Sequence, residues 1–252
     1  MFKRNLLISL LMLSTPVLAQ SAQSADQLFT AGRWQAAADQ AVLEGNYNLA
    51  SLAMMRLMQC PSADQPKGQN WTSDVASKSL AYARSALSKT NLSNAERAEA
   101  LTNAANAQGL LSIAKGGNVT EVLREARTVK SMYETAVQLA PKDALIVGTF
   151  AVWHAKAANR GGIVLGATRN STRAYVTQAM NNFNASPDAS ADQRTRKALA
   201  AVQIGTALEG LNDKNLLKFF EAAIVLGDNG DASSRCAANL ARVHLGRDIS
   251  TY

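Results

Sequence analysis

Two histidines, His154 and His244, and two cysteines, Cys60 and Cys236, are all that this 252-residue chain offers for imidazole or thiol chemistry. Neither histidine sits in a His-x-x-x-His or Glu-bearing zinc pattern, and neither cysteine lies close enough in sequence to add ligands. The segment Gly161-Gly162-Ile163-Val164-Leu165-Gly166 has the glycine spacing of a phosphate-binding loop. Ala167-Thr168 follows where Lys and Ser or Thr are needed, so a triphosphate would lack its main counter-charge, and no strand precedes the motif. The segment therefore reads as a tight connection whose glycines let two helices touch. No Gly-x-Ser-x-Gly elbow occurs. Glu96, Glu99, Glu121, Glu125 and Glu134 fall where helix caps and solvated faces account for them. The expectation is a non-enzymatic chain with no catalytic residue, metal or cofactor.

One constellation has the character of a binding surface. Trp153-His154 is followed by Arg160, with Arg169 and Arg173 a short way on. Aromatic and Arg side chains dominate interface energetics because they bury large area and still offer donors. The competing reading places Trp153 in the core and the arginines on a solvated helix. Trp34 and Tyr47 read as core, and Trp71 either caps a helix or projects from the connection before it.

The elements that must position these residues are helical. Ala is abundant and Pro is rare, five in the whole chain, which favours helix because Ala loses no side-chain entropy. Ser93-Asn94-Ala95-Glu96 is a capping box, in which the Ser oxygen and the Glu carboxylate each satisfy an orphan amide. Asn118 to Glu121 and Ser190 to Gln193 repeat the device. Gly116-Gly117, Gly210 and Gly227 are placed to end helices, since Gly accepts the left-handed conformation of a C-cap. These signals predict helices near 24–31, 34–43, 46–58, 73–88, 93–115, 119–139, 143–159, 170–184, 190–209, 213–226 and 232–245. Apolar positions within them recur at three and four, and no segment alternates with period two.

The first residues have the three-part layout of a secretory signal. Lys3 and Arg4 precede the apolar run Leu6 to Leu13, and Val17-Leu18-Ala19 offers a small-residue cleavage site. Residues 1–19 are expected to be removed, leaving one helical domain over 20–252 in the periplasm. Pro16 and the short apolar run argue against a membrane anchor, since a spanning helix needs about 20 apolar residues. Loss of Lys3 and Arg4 lowers the formal net charge from +7 to +5. The remaining cations form no run, which gives nucleic-acid binding little support. Disulfides are permitted in such a compartment. Cys60 and Cys236 would nonetheless be far apart in an extended array, where each reads as a free buried thiol. A bridge requires the array to curl until the Cα atoms come within about 7 Å.

Internal similarity narrows the fold. Gly32-Arg33-Trp34-Gln35-Ala36-Ala37 and Gly45-Asn46-Tyr47-Asn48-Leu49-Ala50 share Gly-x-aromatic-x-x-Ala. Tyr133, Ala136 and Pro141 give aromatic, small residue and helix-stopping Pro, and Phe220, Ala223 and Asp228 echo them without the Pro. This pattern resembles tetratricopeptide repeats. On a frame of roughly 34 residues from Leu110, Val129 stands where a small residue is usual and Gly116-Gly117 falls inside the first helix. A double Gly there costs about 2 kcal/mol of helix propensity, so the repeats are irregular. The stretch from Gly148 through Trp153-His154 and Asn159-Arg160-Gly161-Gly162 to Ala167 resembles uncharacterised periplasmic tetratricopeptide-like proteins of Gram-negative bacteria. It is similar, more weakly, to the helical repeat component of some periplasmic substrate-transport systems. Neither resemblance brings catalytic residues. The implied fold is an all-α solenoid of irregular antiparallel hairpins.

The function that follows is an exported scaffold binding another periplasmic or envelope protein on a helical-repeat surface. A second possibility is a small-molecule binder accessory to transport, with its pocket near Trp153, Arg160 and Arg169, favoured by a closed or strongly curved array. A third is an enzyme acting on the cell wall, for which no catalytic Glu stands out. Asn-x-Ser/Thr triplets at Asn70, Asn91, Asn118, Asn170 and Asn184 read as products of a polar surface.

Overall fold

A computed structural model describes residues 23–60, 73–116, 118–160 and 162–247. The expected signal segment, Trp71, Gly117 and Gly161 lie outside the described residues. The helices are α1 (Ala25–Thr30), α2 (Trp34–Leu43), α3 (Tyr47–Gln59), α4 (Ser73–Leu87), α5 (Asn94–Lys115) and α6 (Val119–Leu139). They continue with α7 (Ala144–Ala158), a 3-10 helix (Gly162–Leu165), α8 (Arg169–Ala185), α9 (Ala191–Gly210), α10 (Leu216–Gly227) and α11 (Ala232–His244). Each predicted helix is present within a few residues, and no strand occurs among the described residues.

The caps explain the starts. Glu96 N–H donates to Ser93 Oγ at 3.2 Å while Ser93 N–H donates to the Glu96 carboxylate at 2.8 Å. Ser190 and Gln193 form the same reciprocal pair, and Asn118 Oδ1 accepts from Glu121 N–H at 3.0 Å. Two further boxes, Ser24 with Gln27 and Thr168 with Ser171, open α1 and α8.

Gly210 and Gly227 do not serve as left-handed caps. Both are the last residues of their helices, and the left-handed position after α9 is taken by Asn212, with φ 56°. Their role is close approach: a Cβ on Gly210 would stand 2.8 Å from Ala155 Cβ, and one on Gly227 would meet Ala238 at 2.9 Å. Helix backbones can touch only where no side chain intervenes.

Every helix packs on the one that follows it, and the odd-numbered helices also touch in series: α1 on α3, α3 on α5, α5 on α7, α7 on α9 and α9 on α11. The circuit then closes, because α11 packs on α1. Gly32 at the end of α1 leaves room for Ala232, whose Cβ would be only 2.9 Å from a Cβ placed there. Cys60, just past α3, is joined to Cys236 on α11 by a disulfide with Cα atoms 5.1 Å apart. The structure therefore differs from the extended reading in which the thiols stay free. Curvature accumulated over the hairpins brings first and last elements together.

The core changes character around this circuit. Between α7, α9 and α10 it is built of Val147, Val202, Ile204, Leu208, Phe219 and Phe220, all buried. Near α2 and α3 it is Ala37, Ala38, Ala53 and Met54. Complete burial of one Phe or Ile contributes about 1.5–3 kcal/mol. Polar contacts join the N-terminal ends of α5, α7, α9 and α11. The Arg196 guanidinium bridges Asp143, the N-cap of α7, at 2.5 Å and Glu99 of α5 at 3.4 Å. Thr195 meets Asp231, the N-cap of α11, at 3.3 Å. Burial pushes the Arg56 guanidinium down to about 10, partly offset by the nearby Glu99 and Asp231 carboxylates.

Candidate functional site

Phe150, Trp153 and His154 are three and four residues apart on α7 and so share a face. Phe150 is fully buried at the centre of an aromatic cluster. Tyr133 of α6 stacks on it with ring centroids 5.5 Å apart, Tyr175 of α8 lies at 4.6 Å, and Trp153 and His154 flank it at 5.8 and 4.5 Å. The cluster thus ties α6, α7 and α8 together. Tyr133 Oη donates to Asn106 Oδ1 of α5 at 2.6 Å, and burial pushes this phenol well above its ordinary range.

His154 belongs to this interior, with 2% of its surface exposed. Its Nδ1 lies 3.1 Å from Ser171 Oγ in the first turn of α8. The Ser171 hydroxyl also faces the carbonyls of Gly166 and Thr168 at 3.1 and 3.0 Å, and it accepts from Thr168 N–H. Thr168 Oγ1 also donates to this oxygen at 3.2 Å, and whether Nδ1 donates to or accepts from Oγ follows from the ring tautomer. Nε2 is buried and without a hydrogen-bond partner. Desolvation foremost, helped by the Lys130 charge and opposed by Glu134, lowers the His154 pKa to about 4. The ring is neutral at pH 7.

Beside this cluster the chain leaves α7 through the 3-10 helix. Gly162 is wedged on the end of α7, where a Cβ would come within 2.6 Å of the Ala157 carbonyl. Gly166 takes φ +68°, which only Gly adopts cheaply. Leu165 and Ala167 point inward and are buried, whereas Ile163 and Val164 are 76% and 65% exposed. The turn packs on α6 and α7. It forms with α6 an open groove of about 440 Å³ lined by Arg127, Lys130, Glu134, Val164, Leu165 and Gly166. Positions 127, 130 and 134 share one face of α6. Lys130 Nζ is paired with Glu134 at 3.0 Å, and Arg127 forms no ion pair among the described residues.

The structure separates the residues singled out from the sequence. Trp153 is half-buried in the aromatic cluster, and His154 is part of the core rather than a surface contact, because α8 covers it. Arg160 at the end of α7, and Arg169 and Arg173 in the first turns of α8, are exposed and form no ion pair among the described residues. Arg127 and Lys130 carry no signal in the sequence, Val164 enters there only as part of the glycine-rich connection, and Glu134 only as a solvated residue. The glycine-rich segment makes the tight helix connection expected of it. Among the described residues no group of three or more His, Cys, Asp or Glu is placed to hold a metal, and no helix is long and apolar enough to cross a membrane. No protein family, curated protein or solved structure matches this chain.

Proposed function

We propose that this chain is an exported, non-enzymatic scaffold of tetratricopeptide-like hairpins that binds a periplasmic or envelope protein on the face carrying the 3-10 helix. One observation carries this reading: Ile163 and Val164 are presented to solvent on a glycine-fixed turn, Arg127 lines the groove with Val164, and Arg160, Arg169 and Arg173, close by in sequence, are exposed, none of the four having an ion-pair partner among the described residues. Exposed apolar side chains together with unpaired guanidinium groups supply the anchor and rim chemistry that protein interfaces use. Packing of each helix on its successor supports the hairpin reading. The Cys60–Cys236 bridge supports an oxidising compartment, and with it removal of residues 1–19 and a mature domain over 20–252.

The test places a photo-crosslinking amino acid at position 163 and, as a control, at position 43 on α2, where Leu43 is also exposed. A discrete adduct formed in cells from position 163 and not from 43 is the expected result. Equal adducts at both positions, or none at 163, reject the reading.

A second reading, a small-molecule binder accessory to transport, draws support from the closed helix circuit and the groove on α6. Native mass spectrometry of protein taken from the periplasm separates the two. A bound mass lost on Arg127→Ala and Lys130→Ala favours the small molecule.

A further inference from the structure

We propose that the groove between α6 and the 3-10 helix holds an acidic, aliphatic segment of the partner, its carboxylates on Arg127 and Lys130 and its apolar side chains against Val164 and Ile163. This rests on the scaffold reading above and adds the chemistry of what is bound.

Charge complementarity is the argument. Arg127 stands in the groove without an ion pair among the described residues, and Arg160, Arg169 and Arg173, close to the 3-10 helix in sequence, are likewise exposed and unpaired. Of the nearby acids, Glu134 pairs with Lys130 within the groove, which leaves Arg127 as the unpaired cation of its lining, and Glu125 accepts from Ser112 on α5. Exposed guanidinium groups cost the fold nothing in water, but their field attracts carboxylates and raises the encounter rate. A guanidinium also matches a carboxylate with two parallel donors.

The aliphatic wall selects among anionic partners. Val164 and Leu165 line the groove and Ile163 stands exposed next to them. A polyphosphate backbone gains nothing from such a wall, and its bases would want exposed aromatic rings. Of the aromatic cluster here, Phe150 and Tyr133 are buried and Trp153 and Tyr175 are only partly exposed, and none of the four lines the groove. An anionic lipid surface is flat, whereas this site is concave and carries the Glu134 carboxylate inside it. In a peptide complex that carboxylate accepts a backbone N–H.

The experiment uses the oxidised full chain and fluorescence anisotropy with a labelled octapeptide of alternating Glu and Leu. Its Lys/Leu counterpart, a single-stranded oligonucleotide and anionic vesicles serve as competing probes. The Glu/Leu peptide should bind, weaken with added salt, and lose about tenfold or more in affinity in the double variant Arg127→Glu, Lys130→Glu. Arg160→Glu with Arg169→Glu should slow association by a few-fold with little change in dissociation. Both variants must keep the wild-type circular dichroism and melting curve. A third variant, Val164→Ser, supplies a charge-independent readout and should weaken the peptide severalfold. Equal binding of the Lys/Leu peptide overturns the proposal, as does unchanged affinity in the Arg127, Lys130 variant. Tighter binding of oligonucleotide or vesicles than of peptide also overturns it. A crosslink from position 163 without Glu/Leu binding leaves the scaffold reading and removes this one. Loss of both removes both.

Discussion

The two sides of the helix circuit are closed by different means. Between α7 and α9 the contact is made by Val147, Ala151, Val202, Ile204 and Leu208, backed by Phe219 and Phe220 of α10. Between α1 and α11 the close approach is of small residues, Gly32 just past α1 and Ala232 on α11, with the Cys60–Cys236 bridge one turn further along α11. Helix length accounts for the contrast. α9 runs for 20 residues and α1 for six, so α1 has one turn and a half of surface to bury. Apolar burial scales with area, and a covalent link supplies what six residues cannot.

Disturbing each side in turn sharpens that contrast. The largest effect belongs to the packed side. Phe220 is fully buried and lies against Gly205, where a Cβ would meet its ring at 2.7 Å. Phe220→Ala should cost about 4 kcal/mol, read by chemical denaturation. The closing side comes next: Cys60→Ala with Cys236→Ala, or reduction, should cost about 3 kcal/mol. Hydrogen exchange gives the sharper readout there, with faster exchange in α1 and α2 and unchanged rates in α7 and α9. Uniform loosening of all helices would refute the division.

The third test concerns His154, which ties α7 to α8. Its folded pKa of about 4 lies below the ordinary 6.5, so the unfolded chain binds its proton first as pH falls. The associated stability is complete above pH 6.5 and is lost as pH drops through that value toward 4. At full protonation the loss is about 3 kcal/mol. His154→Phe should flatten the stability profile between pH 6.5 and 4 relative to wild type, and parallel profiles would contradict the assignment. The smallest effect is expected at the polar rim. Arg196→Ala breaks the contacts with Asp143 and Glu99, but the side chain is 42% exposed. Its loss should cost about 1 kcal/mol after solvent screening.

Helix positions were legible because their signals are local: Ser93 and Glu96, Asn118, and Ser190 with Gln193 each declare a start within four residues. Gly210 and Gly227 misled because one residue type serves two needs, a left-handed cap and a bare surface for a neighbouring helix. Only the tertiary partner, Ala155 or Ala238, tells them apart. Closure was illegible for a different reason. It depends on small rotations summed over successive hairpins, and no single residue encodes the sum. The candidate site was half visible. Trp153 and the three arginines stood out by type, but their partition into interior and rim follows from how α8 crosses α7. Arg127, Lys130 and Glu134 share a face by spacing alone, yet nothing near them in sequence says that Val164 lies opposite.

An array in which each hairpin touches only its neighbours can gain or lose a unit without consequence elsewhere. Here the contact of α1 with α11 and the bond from Cys60 to Cys236 join residues at opposite ends of the chain. Inserting or deleting one hairpin would part both at once. Closure therefore constrains the count: the fold can vary along its loops and rim, but a hairpin cannot be added to or taken from the described circuit without breaking it.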